Sequence, residues 1–276
     1  LLGLEKPSSG QIIFAGQDVT ALDGAALKAM RRQMQMIFQD PSSSLNPRLR
    51  VLDLIGEAPV AHGLVARAAM RGYVADLLQR VGLDESALER YPHQFSGGQR
   101  ARIGIARALA VRPQLLICDE SVAALDVSVQ AQVLNLFSEL RQSLGLTYVF
   151  ISHDLGVVRH LSTRVAVMYL GRVVELGPTE EIFRAPGHPY TRALLDAMPV
   201  VRLSEPSSSG RAHGATTAFA PIQGEVASPT APPSGCHFHP RCPRAQARCR
   251  ETAPTLVPQG GGCVACHFSL QEENQT

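Results

Sequence analysis

The sequence predicts an α/β fold in which buried parallel strands deliver polar side chains to a ligand crevice, and three observations predict it. Leu115-Leu116-Ile117-Cys118-Asp119-Glu120 is a strand-length apolar run that ends abruptly in two carboxylates, the pattern of a strand covered on both faces. Ahead of it lies Ser96-Gly97-Gly98-Gln99, followed by Ile103, Ala106, Leu109 and Ala110 at helical spacing and then by Pro113, which stops the helix. Two further β-rich runs, Met34 to Phe38 and Thr147 to Ser152, also end in polar groups, Gln39 and His153.

Composition narrows the class. A chain of 276 residues with 45% hydrophobic content buries a sizeable core in one large domain or two smaller ones. The formal charge is +2, and the 26 basic residues form no long run and are not interleaved with aromatics, which disfavours nucleic acid as a partner. No apolar stretch approaches the roughly 18 to 20 residues of a membrane span, so the chain is not expected to cross a bilayer itself. Nothing in it reads as an export leader. Six cysteines without such a leader point to reduced thiols or a metal site rather than to disulfides.

In chain order, Leu1 to Leu4 reads as the last turn of a helix capped at Gly3, and Gln11 to Phe14 with Asp18-Val19 as a small antiparallel hairpin. The strand Met34 to Phe38 exits at Gln39, on the same side of the sheet as the acids. Residues 48 to 91 carry an amphipathic helical pattern, and Tyr91-Pro92-His93-Gln94 leads into the glycine pair. Asp126 is placed to cap a helix whose apolar face is Val129, Val133, Leu136, Phe137, Leu140 and Leu144, closed by Gly145. After the strand Thr147 to Ser152 come a hairpin turning at Gly171 and a short helix opened by Thr179-Glu180-Glu181. Residues 204–234, rich in Pro, Ser, Gly, Ala and Thr, read as a flexible linker. Beyond them lie Cys236, Cys242, Cys249, Cys263 and Cys266, whereas Cys118 reads as a small buried hydrophobe.

The chemistry follows from placement. Two glycines let the backbone approach an anion, and a helix starting there aims free N–H groups at it. Acids at the carboxyl end of a parallel strand reach the crevice where such sheets bind ligands. Asp119 there can hold Mg²⁺ through water, and Glu120 can polarise an attacking water. A surface turn and a solvated strand end are the bland readings of either motif alone; their order and spacing together argue against both.

These motifs resemble the ATP-binding subunits of ABC transporters. Ser96, Gly97, Gly98 and Gln99 are similar to the signature motif, LLICDE to the Walker B strand with its catalytic glutamate, Ser121 to Asp126 to the D-loop, Gln39 to the Q-loop and His153 to the switch histidine. The resemblance implies a P-loop NTPase-like core with an antiparallel β hairpin, a helical subdomain over about 48–110 and a small irregular C-terminal extension. It divides the chain into an ATPase domain, 1–186, and an extension, 187–276. Glu120, His153 and Gln39 are then catalytic, with Gln39 and Asp119 near Mg²⁺. His62, His160 and His188 receive no such role.

In this family ATP is sandwiched between two subunits, so Ser96, Gly97, Gly98 and Gln99 would complete a partner's site, and Asp126, at the end of the D-loop, is also expected to bind the nucleotide. The implied partners are a second ABC ATPase, identical or not, two membrane permeases and, indirectly, a substrate-binding protein, with the chain peripheral on the cytoplasmic face of the inner membrane. Ser42-Ser43-Ser44-Leu45-Asn46-Pro47 and His188-Pro189-Tyr190-Thr191 are similar to the peptide-importer branch, which makes peptides the expected cargo, with nickel or another small solute next. A soluble non-transport ABC ATPase and a non-catalytic redox or binding module are the other readings. In that branch a four-cysteine tail holds a [4Fe–4S] cluster in some members, which implies Cys236, Cys242, Cys249 and Cys266 as ligands; zinc and free thiols stay open.

In the family, LLGL and the hairpin follow the Walker A loop. No G-x-x-x-x-G-K-[ST] occurs in this sequence. The chain is therefore expected to be truncated at its start and, as written, to hydrolyse no ATP unaided.

Overall fold

A computed structural model describes residues 1–198, 222 and 224–271. The chain divides into two compact units, Leu1–Asp154 and Leu155–Thr276, a division by compactness that falls earlier than the 186/187 boundary read from the sequence.

The first unit opens with the hairpin β1 (Ile13–Phe14) and β2 (Gln17–Asp18), turned at Ala15-Gly16, both with positive φ, the backbone a two-residue I′ turn requires. The LLGL segment is not helical, although Gly3 does take the left-handed φ of 63° expected of a cap. Helix α1 (Gly24–Gln33) leads into β3 (Met34–Ile37), the short α2 (Pro41–Ser44) and the helices α3 (Val51–Ala61) and α4 (Met70–Arg80). Helix α5 (Gly97–Leu109) follows, then β4 (Leu115–Asp119), α6 (Val127–Leu144) and β5 (Thr147–Ile151).

Strands β3, β4 and β5 form a parallel sheet in that order, with Ile37 opposite Cys118 and Asp119 opposite Ile151. The central strand is buried as its apolar run requires: Leu116 and Cys118 are fully inaccessible. Leu115 and Ile117 pack with Val19, Met30 and Met34 on one face. Helices α3, α4 and α5 form their own apolar cluster, with Val51, Ile55, Val74, Leu78 and Ile103 all fully buried. Helix α6 buries Val133, Leu136, Phe137 and Leu140 and ends at Gly145 in the left-handed conformation, as its pattern predicts, while Leu144 stays exposed. Asp126 occupies the N-cap position, yet its side chain makes no capping hydrogen bond.

The second unit contains α7 (Leu155–Leu161), the hairpin β6 (Arg164–Tyr169) and β7 (Arg172–Pro178), α8 (Thr179–Arg184), α9 (Pro189–Asp196), α10 (Ala247–Glu251), β8 (Val257–Gln259) and β9 (Gly262–Val264). Leu170 and Gly171 make its tight turn with φ of 43° and 76°. The extension is not irregular throughout: β9 pairs antiparallel with β7, giving a four-stranded sheet in the order β6-β7-β9-β8. Glu175 of β7 is buried and accepts hydrogen bonds from the main-chain N–H groups of Gly187 (2.6 Å) and His188 (3.0 Å), which fixes the entry to α9. Most of the linker expected at 204–234 lies outside the described residues. Among the described residues, no helix is long and apolar enough to cross a membrane.

Candidate functional site

Because β3, β4 and β5 run parallel and nearly in register, the residues just past their ends converge. Gln39 and Glu120 each lie two residues beyond the paired Ile37 and Cys118, and His153 follows β5. Gln39 Nε2 donates to Glu120 Oε2 at 2.6 Å, and His153 Nδ1 lies 3.2 Å from Glu120 Oε1. Each carboxylate oxygen thus has its own side-chain partner. The contact engages Nδ1 of the ring, and Nε2 is the nitrogen it does not use. The His153 side chain is 72% exposed and that of Glu120 28%, so both remain open to a ligand.

Glu120 also holds a φ of 44°, unusual for a residue with a side chain. Its N–H donates to Ile151 O at 3.0 Å and its carbonyl accepts from Ala123 N at 3.0 Å, which pins the strained turn at both ends. Such a conformation costs on the order of 1–3 kcal/mol and persists where surrounding bonds over-determine it. Asp119, the last residue of β4, is half-buried, and its carboxylate makes no hydrogen bond among the described residues. Burial pushes the Cys118 thiol up to about 12, so it stays protonated and unreactive.

The second cluster is at the start of α5. Ser96 is its N-cap: Gln99 N donates to Ser96 Oγ at 3.4 Å, and Ser96 N donates to Gln99 Oε1 at 3.1 Å. This reciprocal pair is a capping box, and the Ser-x-x-Gln spacing that encodes it was present in the sequence. It occupies the two polar side chains with helix initiation. What points outward is the pair of glycines at the helix start, where main-chain N–H groups lack intrahelical partners. Gly98 also packs closely: a Cβ there would fall 2.4 Å from Val129 Cγ1 on α6. No hydrogen bond or ion pair among the described residues joins Ser96 to Gln99 with Glu120. Farther along α5, the half-buried Arg107 donates to Ser44 O in α2, tying the helix that carries the glycines to the segment after Gln39. Burial lowers the pKa of its guanidinium from the ordinary value, because the charged form loses hydration.

In the second unit, Cys236, Cys242, Cys249 and Cys266 all border one small cavity, together with His188, Phe238, His239, Arg244, His267 and Phe268. Burial raises the thiols of Cys236, Cys242 and Cys266, the last to about 11, and the charges of neighbouring cavity thiols raise them further. Cys263 sits on β9, away from the cavity. All the cysteines are free thiols. Among the described residues, no three His, Cys, Asp or Glu side chains are gathered to hold a single metal ion. Sequence reasoning gave His188 no role; it is fully buried beside the thiols, and burial holds its imidazole down to about 4. Its placement directly ahead of Pro189 at a helix start was the available signal.

Comparison with known proteins agrees with this geometry. The ABC transporter family model matches residues 1–123, and that of the oligopeptide/dipeptide transporter C-terminal region matches residues 174–249. The chain is 51% identical to the probable peptide ABC transporter ATP-binding protein y4tS of Sinorhizobium fredii (strain NBRC 101917 / NGR234), over 97% of this chain and 73% of that protein. It is 48% identical to the oligopeptide transport ATP-binding protein AppF of Bacillus subtilis (strain 168), over 97% and 80%. For the di/tripeptide transport ATP-binding protein DppF of Pseudomonas aeruginosa (strain UCBPP-PA14) the identity is 45%, over 97% and 80%. Among solved structures, cbiO1 from Clostridium perfringens, part of the cbiONQ ABC transporter complex, matches with a TM-score of 0.59 at 30% identity, over 66% of this chain and 71% of that one. The dimeric ATP-binding cassette MJ0796 bound to ADP and phosphate matches at 0.57 and 28%, over 64% and 76%. The chain belongs to the family of ATP-binding subunits of oligopeptide/dipeptide ABC transporters.

Proposed function

We propose that this chain is one of two ATPase subunits that energise import of oligopeptides or dipeptides, and that Gln39, Glu120 and His153 form the hydrolytic end of its nucleotide site. The observation that carries the assignment is the convergence of both partners on the two oxygens of Glu120. Held there, the carboxylate is aimed to accept a proton from water, with Gln39 and His153 fixing its plane. Asp119, adjacent and without a hydrogen-bond partner among the described residues, would hold Mg²⁺ through water, with Gln39 nearby; the ion supplies neutralisation of phosphate charge when bound. His153 Nε2 would meet the terminal phosphate.

The main-chain N–H groups at Gly97 and Gly98, with Ser96 and Gln99, would complete the nucleotide site of the partner ATPase, and Asp126 would also bind the nucleotide. Closure and reopening of the pair would be transmitted through the Q-loop to two permeases. The chain would sit peripherally on the cytoplasmic face of the membrane, with a binding protein delivering the cargo. Residues 1–186 would make up the ATPase domain and 187–276 the extension. Residues 1–276 by themselves contain no G-x-x-x-x-G-K-[ST], and we expect this polypeptide alone not to hydrolyse ATP.

Cys236, Cys242, Cys249 and Cys266 fit a [4Fe–4S] cluster. The donor set is all thiol, and the four cysteines border one cavity, which suits a group held by four thiolates. The cluster supplies one-electron chemistry when bound.

Reconstitution with the permeases and partner ATPase in liposomes tests the reading. Uptake of labelled peptides driven by ATP is expected. Uptake of nickel but not of peptides would overturn the cargo, and hydrolysis unaffected by Glu120→Gln would overturn the site.

A further inference from the structure

His188 is held from three sides. Its main-chain N–H donates to the buried carboxylate of Glu175 at 3.0 Å, its ring Nδ1 accepts from Tyr190 N at 3.0 Å, and the ring packs against Phe238 with centroids 5.8 Å apart. A ring nitrogen that accepts from a backbone N–H carries no proton. The neutral tautomer that remains has its hydrogen on Nε2. That nitrogen has no hydrogen-bond partner among the described residues, the residue is buried, and the space its ring borders is that of the four thiols.

The other imidazoles on the cavity are placed differently. His239 Nδ1 is paired with Cys236 O and His267 Nε2 with Thr252 O, and both rings are half-buried, with access to water. His188 is the most enclosed of the three, at 1% exposure. With no hydrogen-bond partner for Nε2 among the described residues, sulfur on the shared cavity is an acceptor its surroundings offer.

We infer that His188 donates its Nε2 hydrogen to a sulfur of the group held by Cys236, Cys242, Cys249 and Cys266, and that it is a positioning residue which raises the reduction potential of that group. The inference rests on the cluster reading above. Donors aimed at cluster sulfurs stabilise the more negative, reduced state. The N-cap bond to Tyr190 serves to fix the tautomer and the plane of the ring.

The test uses the full protein purified without oxygen, as wild type and as His188→Asn. Asparagine retains an N-cap acceptor for Tyr190 N and lacks the imidazole donor. Iron and sulfide content and the midpoint potential are measured for both. The expected result is equal iron and a lower midpoint in the variant. At the wild-type midpoint, the reduced-to-oxidised ratio should fall about tenfold, about 59 mV for one electron. Equal iron with an unchanged midpoint overturns the inference and leaves the cluster standing. Wild type without iron and sulfide overturns the cluster and the inference together.

Should the variant fail to fold, the protein with His239→Gln and His267→Gln, labelled with ¹⁵N-histidine, decides the matter. A ¹⁵N hyperfine coupling at the reduced cluster is expected from His188, and its absence overturns the inference.

Discussion

His153 and Glu120 meet through Nδ1 and Oε1 at 3.2 Å, across the ends of two neighbouring parallel strands. The contact uses the ring nitrogen nearer the backbone and leaves the far one for the ligand. Replacing the carboxylate with an amide keeps the shape and removes the base. Glu120→Gln in the assembled transporter should therefore retain bound ATP while hydrolysis falls by about 10²–10⁴-fold. Single-turnover measurements with nucleotide analysis of the isolated complex check both halves.

Gln39 and His153 act on one carboxylate, so their substitutions should not add. Gln39→Ala and His153→Ala are each expected to lower kcat. The double variant should fall short of the summed effect by about 0.5–3 kcal/mol. A cycle of kcat values at saturating ATP measures the coupling, and strict additivity would mean that the two residues do not share Glu120.

Gly98 faces Val129, where a methyl group would overlap a stiff, β-branched side chain. Gly98→Ala should destabilise the first unit by about 1–3 kcal/mol, and Val129→Ala in the same chain should recover most of it. Denaturant midpoints of the wild type and the two variants decide this, and they separate a packing demand at the signature from a purely nucleotide-facing one.

The buried thiol of Cys118 gives a pH signature. Its folded value, about 12, lies above the ordinary 9.0. The stability it contributes is fully present below about pH 9 and is lost as pH rises from there towards 12, because the unfolded thiol ionises first. At neutral pH, iodoacetamide should label the protein at Cys118 only after unfolding, as peptide mass mapping would register.

The sheet end was legible because its logic is local. A strand-length apolar run that stops at a polar residue announces both the strand and where its side chain emerges, and three such runs gave Gln39, Glu120 and His153. Parallel register then brought them together without further information. The dual use of Ser96 and Gln99 was written in the sequence too, as a capping-box spacing, but the glycines between them drew the eye to the anion. The pairing of Glu175 with Val264 was not legible. Strands of three residues carry almost no periodic signal, and their partner lies far away in the chain. His188 was hidden for a related reason, since only the fold brings it beside cysteines that follow it by dozens of residues.

The hairpin edge of β7 is closed by β9, so the cysteine-bearing tail is no detachable cargo on a finished domain. Recombination that exchanged or shed the tail would strip a strand from a sheet and bare an adhesive edge. Evolution is thereby constrained to keep hairpin and tail in step, and a truncated laboratory version should aggregate before it reveals what the tail does.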